Sequence, residues 1–231
     1  MVKTRIKQSI DTWDRIADSF HQSRQFTWDF CIKFISSIRK ESRCVDLGCG
    51  NGRHLIPLSQ HCYRSIGFDI SRNLLNITLF NLKQNNIHNC SIVQGDLCSL
   101  PFQSNSIDNI IYIAALHNIK GKQNRIQSLH EVHRILKPKG SALISVWSKN
   151  QERFDNIKSL TDKNSEPGDI IIHWRQHNLN VPRFYHLYEK NEFKRDLINA
   201  HFSLSSLEEI SIASKKINDN FYAILTKPDE N

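Results

Sequence analysis

The stretch RCVDLGCGNG, from Arg43 to Gly52, joins a short apolar run to glycines at three alternate positions. The apolar half predicts a strand. Gly48, Gly50 and Gly52 predict a tight loop, because glycine lets the chain turn sharply and lets a ligand lie against the main chain where a Cβ would collide. RHLIPLSQ follows as a helix. The spacing is G-x-G-x-G, unlike the G-x-G-x-x-G that cradles a dinucleotide. An acid, Asp46, stands just before the loop.

Downstream, YRSIGFDIS reads as a second strand ending at Asp69, and RNLLNITLFNLKQNN as a helix. CSIVQGDL is a third strand ending in Asp96, and SIDNIIYIAALHNI a fourth, with the continuous apolar centre of a strand covered on both faces. Ile126, Leu129, Val132 and Leu136 mark a helix that KPKG closes with a turn, and SALISVWS is the fifth strand. This alternation predicts an α/β fold with a doubly wound, mostly parallel sheet. FSLSSLEEIS and NFYAILTK add a carboxy-terminal antiparallel hairpin, which makes seven strands. Upstream, Ile6, Ile10, Trp13, Ile16 and Phe20 recur at helical spacing, and Phe30, Phe34, Ile35 and Ile38 mark a second helix. The chain therefore reads as one domain over residues 1–231. A helical flank covers 1–40, a cofactor-binding half 41–148, and a substrate-binding insertion with closing strands 149–231. Periodicity is weak from Lys149 to Asn180, with TDKNSEPGD as a loop.

No run approaches the roughly 20 apolar residues that cross a bilayer, so no membrane partner is expected. Charges interleave the apolar positions of the first 20 residues, which points to a cytoplasmic or nuclear protein. The six cysteines form no C-x-x-C pair, so neither a disulfide framework nor a metal site is expected. Lys and Arg number 31 against 23 Asp and Glu, a formal charge of +8. That balance favours an anionic partner such as nucleic acid, although enzymes of small molecules can be as basic.

Three acids surround the glycine loop. Asp69 lies where a carboxylate accepts from ribose hydroxyls, about 20 residues past the loop. Asp96 is placed to receive an exocyclic amine. Such a set suits a cationic ligand better than a pyrophosphate, although each aspartate would also serve as a helix cap or turn residue. S-adenosylmethionine carries a sulfonium, an ammonium, a ribose and an adenine, and no phosphate. From Cys44 to Val146 the pattern resembles the class I S-adenosylmethionine-dependent methyltransferases, whose fold is Rossmann-like. The candidate cofactor contacts are then Asp46, Gly48, Gly50, Asn51, Gly52, Asp69, Ile70, Asp96, Leu97 and Ala114.

The late stretch VPRFYHLYEKNEF, Val181 to Phe193, crowds rings and charges together, more polar tips than a buried strand is expected to carry. With GDLCSLPFQSNSIDNIIYIAALHNIK, IADSFHQSRQFTW, GDIIIHW, RFYHLYEKNEFKRDL and NDNFYAIL, the likeness narrows. These segments resemble the eukaryotic tRNA wobble-uridine carboxymethyl methyltransferases, over about Ile16 to Leu225. The resemblance implies transfer of a methyl group to the carboxylate of 5-carboxymethyluridine in the tRNA anticodon loop. A small-molecule methyltransferase and a non-catalytic tRNA-binding homologue are the alternatives. Arg183 and Tyr185 would grip the carboxylate or an adjoining phosphate, with His186 beside them, and His117 would orient the acceptor. Arg24, Trp28 and Trp147 would close over the base, unless the two tryptophans are core rings. The resemblance also implies a small zinc-binding activator subunit. It would sit at the third strand, CSIVQGD, which lies at an edge in sheets of this type.

Overall fold

The structure, a computed structural model, describes residues 2–151, 154, 165–214 and 216–229. Two helices come first, α1 (Val2–Ser23) and α2 (Asp29–Ser37). The chain then alternates β1 (Arg43–Leu47), α3 (Leu55–His61), β2 (Arg64–Asp69), α4 (Arg72–Gln84), β3 (Cys90–Gln94), β4 (Ile107–Ile113), α5 (Lys122–Ile135) and β5 (Leu136–Trp147). A short 3-10 turn, Leu116–Asn118, follows β4. The rest comprises β6 (Asp169–Trp174), β7 (Val181–His186), α6 (Lys190–Asn199), β8 (Ser203–Ile210) and β9 (Asn220–Thr226).

Seven strands form one sheet in the order β3-β2-β1-β4-β5-β9-β8. The first five are parallel, and β9 and β8 close it antiparallel. Alternation along the strands divides two cores. Ile110 and Tyr112 of β4 pack with Leu129 and Val132 of α5 and Phe193 and Leu197 of α6. Ile111 and Ile113 pack with Phe34 of α2, Leu55 of α3 and Leu75 of α4. The expected doubly wound sheet and closing hairpin are both present, with β3 at one edge.

Three local expectations are corrected. KPKG does not close α5, which ends at Ile135; Leu136 to Gly140 already belong to β5. Pro138 and a left-handed Lys139 (φ 62°) imitate a turn, yet Lys139 N–H donates to the Lys227 carbonyl and Lys227 N–H to the Gly140 carbonyl. The third strand ends at Gln94, two residues short of Asp96. Val181–His186 is a strand after all, and a largely buried one, paired antiparallel with β6 in a separate two-stranded sheet. Of the loop read at 161–169, the first four residues lie outside the described residues.

Candidate active site

The glycine loop leaves β1 at the carboxyl end of the sheet and turns into α3. Gly48 has φ 72°, and a Cβ there would meet the Ala115 Cβ at 2.4 Å, so the loop passes the exit of β4 only without a side chain. Asp69, at the end of β2, braces the loop: its Oδ2 accepts from Gly50 N–H at 2.9 Å and its Oδ1 from Ser71 N–H at 2.9 Å. Burial raises the Asp69 pKa, and those backbone donors oppose the rise. Thr78 Oγ1 of α4 donates to the Gly50 carbonyl, and Asn81 Nδ2 to that of Asn51. Asp46 is buried deeper, and burial together with the Asp69 charge pushes its carboxyl up to about 8, with Arg53 opposing. Its Oδ2 has no hydrogen-bond partner among the described residues.

Over this floor lies a cavity of about 380 Å³, within the usual range of roughly 300–1,000 Å³ for small-molecule sites. Helix α1 covers it with Arg5, Ser9, Trp13 and Phe20. The Arg5 guanidinium pairs with Asp96. Further along α1, Asp14 Oδ1 accepts from Ser71 Oγ at 2.5 Å and Asn73 N–H at 3.0 Å, which fixes the helix to the start of α4. Its far end is held by Ser19 Oγ, which accepts from Trp174 Nε1 at 2.7 Å and bonds His177 Nδ1 at 2.7 Å.

The opposite wall comes from β7 and the ends of β4 and β5. Arg183, 7% exposed, lies with Cζ 4.7 Å from the Trp174 ring centroid and donates to the Tyr185 hydroxyl. Tyr185 stacks on Trp147, centroids 4.5 Å apart and planes 2° apart. Trp147 N–H donates to His117 Nδ1 at 3.0 Å; that nitrogen is therefore unprotonated, and Nε2 carries the ring proton in the neutral form.

The cavity gathers most of the candidates. Gly48, Gly50, Asn51, Asp69 and Ile70 line it, as do Asp96, Leu97 and Ala114. So do Arg24, Trp28, His117, Trp147, Arg183 and Tyr185. Three candidates do not. Asp46 lies beneath the loop, and Gly52 faces α4, where a Cβ would stand 3.0 Å from Thr78 Cγ2. His186 corrects the reading most: it is fully buried between Asp169 Oδ1 (2.7 Å) and Glu192 Oε1 (3.1 Å), facing away from the cavity as alternation beside Tyr185 requires. The tryptophans are not open platforms either. Tyr185 covers Trp147, and the Arg53 guanidinium lies 4.6 Å from the Trp28 centroid.

Sequence reasoning missed Arg5, Phe26, Arg53 and His54, all of which line the cavity. His54 follows directly on the glycine loop, and burial beside Arg53 holds its pKa well below the usual imidazole value. The position was readable there; the burial was not. Among the described residues no group of three or more His, Cys, Asp or Glu is placed to hold a metal ion, and no helix is long and apolar enough to cross a membrane.

A family profile described as a methyltransferase domain matches residues 45–144. A tRNA (carboxymethyluridine(34)-5-O)-methyltransferase of Schizosaccharomyces pombe is 30% identical over 196 residues, 78% of this chain and 82% of that protein. A mouse protein of the same description, ALKBH8, is 34% identical over 159 residues, 68% of this chain. The match spans only 22% of the mouse protein's length. Among solved structures, a Methanosarcina mazei protein described as a SAM-dependent methyltransferase superposes with a TM-score of 0.76 at 18% identity, over 89% of this chain and all of its own. The methyltransferase in a Haloferax volcanii complex with the Trm112 methyltransferase activator superposes with a TM-score of 0.72 at 17% identity, over 96% of this chain and 99% of its own.

Proposed function

Since the chain belongs to the tRNA carboxymethyluridine methyltransferase family and takes S-adenosylmethionine as its cofactor, we propose that it methylates the carboxylate of 5-carboxymethyluridine at the wobble position of tRNA. The product is the methyl ester. The residues at hand fit the cofactor. Gly48 and Gly50 expose main chain to the cavity, and each Asp69 oxygen accepts one backbone N–H and keeps capacity for a ribose hydroxyl. Asp96, beyond β3, would receive the adenine amine once Arg5 shares or yields its carboxylate. Asp46 Oδ2, without a hydrogen-bond partner among the described residues, adds negative potential beneath the loop when ionised. The cofactor supplies a methyl carried on a sulfonium, which departs as a neutral thioether.

What the protein must do follows from the acceptor. A carboxymethyl group ionises at roughly pH 4, so it is an anion at neutral pH and no general base is needed. The site has to hold it, aim it and keep water away, and orientation of this kind supplies several kcal/mol, roughly 7–11 at best. The observation that carries the reading is Arg183: a guanidinium presented by a buried strand to the cavity wall, steadied by the Trp174 ring and the Tyr185 hydroxyl. A fork of fixed N–H donors binds a carboxylate without giving up its proton. His117 Nε2–H is a second donor on the same wall. Arg24, which lines the cavity with its guanidinium toward the Trp174 ring, suits a phosphate.

We further propose that a small zinc-binding activator subunit joins the outer edge of β3, which has β2 on one side only. The Haloferax volcanii neighbour, solved with its Trm112 activator, supports this. Purified chain that is soluble, monomeric and fully active alone would remove the activator from the account.

The decisive test offers hypomodified tRNA and labelled S-adenosylmethionine, then digests the product. An alkali-labile methyl ester on the wobble uridine is expected; label on a stable carbon or nitrogen, or no label in tRNA, overturns the proposal.

A further inference from the structure

With Trp28 and Trp147 covered by Arg53 and Tyr185, the ring left open at the cavity mouth is Phe26. It is 84% exposed and makes no aromatic or cation contact among the described residues. Yet the loop that carries it, between α1 and α2, is not loose. One residue away Thr27 Oγ1 donates to the Arg53 carbonyl at 2.6 Å, and two residues away the Arg24 carbonyl accepts from Asn51 Nδ2 at 2.7 Å. Both anchors are residues of the glycine loop or its exit. The ring is thus presented from a fixed backbone, and little ordering entropy remains to be lost when something covers it. The cavity it lines is cationic there: Arg24, two residues before it, lies over the Trp174 ring and Arg53 over the Trp28 ring, and neither forms an ion pair among the described residues.

We propose that Phe26 is a stacking platform for an RNA base next to the one that enters the cavity. This rests on the tRNA reading above and extends it to a residue which that reading does not use. An open aromatic ring on a cavity that two arginines also line matches a nucleotide, a π-face joined to a phosphate, and the +8 charge of the chain favours the same partner. The acceptor base must travel inward to Arg183, so the base at the rim is a neighbour in sequence. Stacking tolerates every base, so Phe26 adds affinity and holds the loop in register without choosing sequence.

The test uses anticodon stem-loop RNAs with 2-aminopurine at the nucleotide before or after the wobble position, titrated into the full chain saturated with spent cofactor. Binding of the unaltered protein is expected to change the emission of one of the two RNAs. Phe26→Ala should weaken binding about tenfold and abolish that change, and Phe26→Trp should restore both. Cofactor calorimetry on each variant reports whether the fold and the cofactor site are intact. If Phe26→Ala binds within twofold and keeps the emission change, the inference is overturned. If Phe26→Ala instead loses the cofactor, Phe26 belongs to the cofactor site and the inference is equally overturned. Unaltered protein that binds neither RNA overturns the tRNA reading itself, which separates the two failures.

Discussion

His186 Nδ1 lies 2.7 Å from Asp169 Oδ1, and both side chains are shut off from solvent. On its other nitrogen Glu192 approaches to 3.1 Å. Burial opposes a charge on His186, but the two carboxylates outweigh it and raise the imidazole above its usual pKa. The same contact holds Asp169 and Glu192 below the usual carboxylate range, against the opposing effect of their burial. The trio joins β6, β7 and α6, and so fixes the strand that presents Arg183. Its contribution has two limits in pH. The histidine part is complete below the ordinary imidazole pKa and is lost as pH rises through the raised value; the carboxylate part is complete above the ordinary carboxylate pKa and is lost as pH falls through the lowered ones.

Replacing one partner of a buried pair leaves the others charged and unmatched. His186→Ala is expected to cost about 3 kcal/mol or more, a fall in melting temperature of about 10 °C for a chain of this size. Urea unfolding measures it. A midpoint within error of the unaltered protein would return His186 to the list of candidate substrate contacts.

Asp46 gives a pH dependence of its own. Its carboxyl is raised to about 8, chiefly by burial and then by Asp69. Between the ordinary carboxylate value and that figure the folded chain binds the extra proton, so stability falls as pH rises through this window. The ceiling on the slope is about 1.4 kcal/mol per pH unit. Asp46→Asn should flatten the urea midpoint between pH 5 and pH 8, and an equally steep profile in the variant would assign the slope elsewhere.

Arg183 should separate acceptor from cofactor. Arg183→Ala is expected to lower kcat/KM for tRNA about 100-fold, the scale of a mispositioned reactant, while the cofactor Kd by calorimetry stays within twofold. Arg183→Lys keeps the charge but not the planar fork, and should remain about tenfold impaired. Full activity in the lysine variant would reduce the role of Arg183 to that of a simple positive charge.

Ser19 tests how α1 is held. Its hydroxyl is the acceptor for the buried Trp174 indole N–H. Ser19→Ala strands that donor, at a cost of about 1–3 kcal/mol, and amide hydrogen exchange should quicken in α1 before it does in the central sheet.

What could be read in the sequence was what local chemistry dictates. Glycines at 48, 50 and 52, all at positive φ, and Asp69 at the end of β2 announce the turn that floors the cavity, because the backbone there constrains those residues directly. The strand Val181–His186 was hidden for the opposite reason. Its polar tips look exposed until one knows that Asp169, 17 positions upstream of His186, answers the histidine and that Trp174 covers Arg183. The tryptophans at 28 and 147 misled in the same way, since no pattern tells which face of a ring another residue already occupies.

The segment shared with the general methyltransferase domain, residues 45–144, stops short of the cavity's lining on both sides. Trp13 and Phe20 precede it; Trp147, Arg183 and Tyr185 follow it; all five line one chamber. Trimmed to that segment, the polypeptide would keep its floor and lose both roof and back wall. The stretch that marks the general domain is narrower than the one that encloses the cavity.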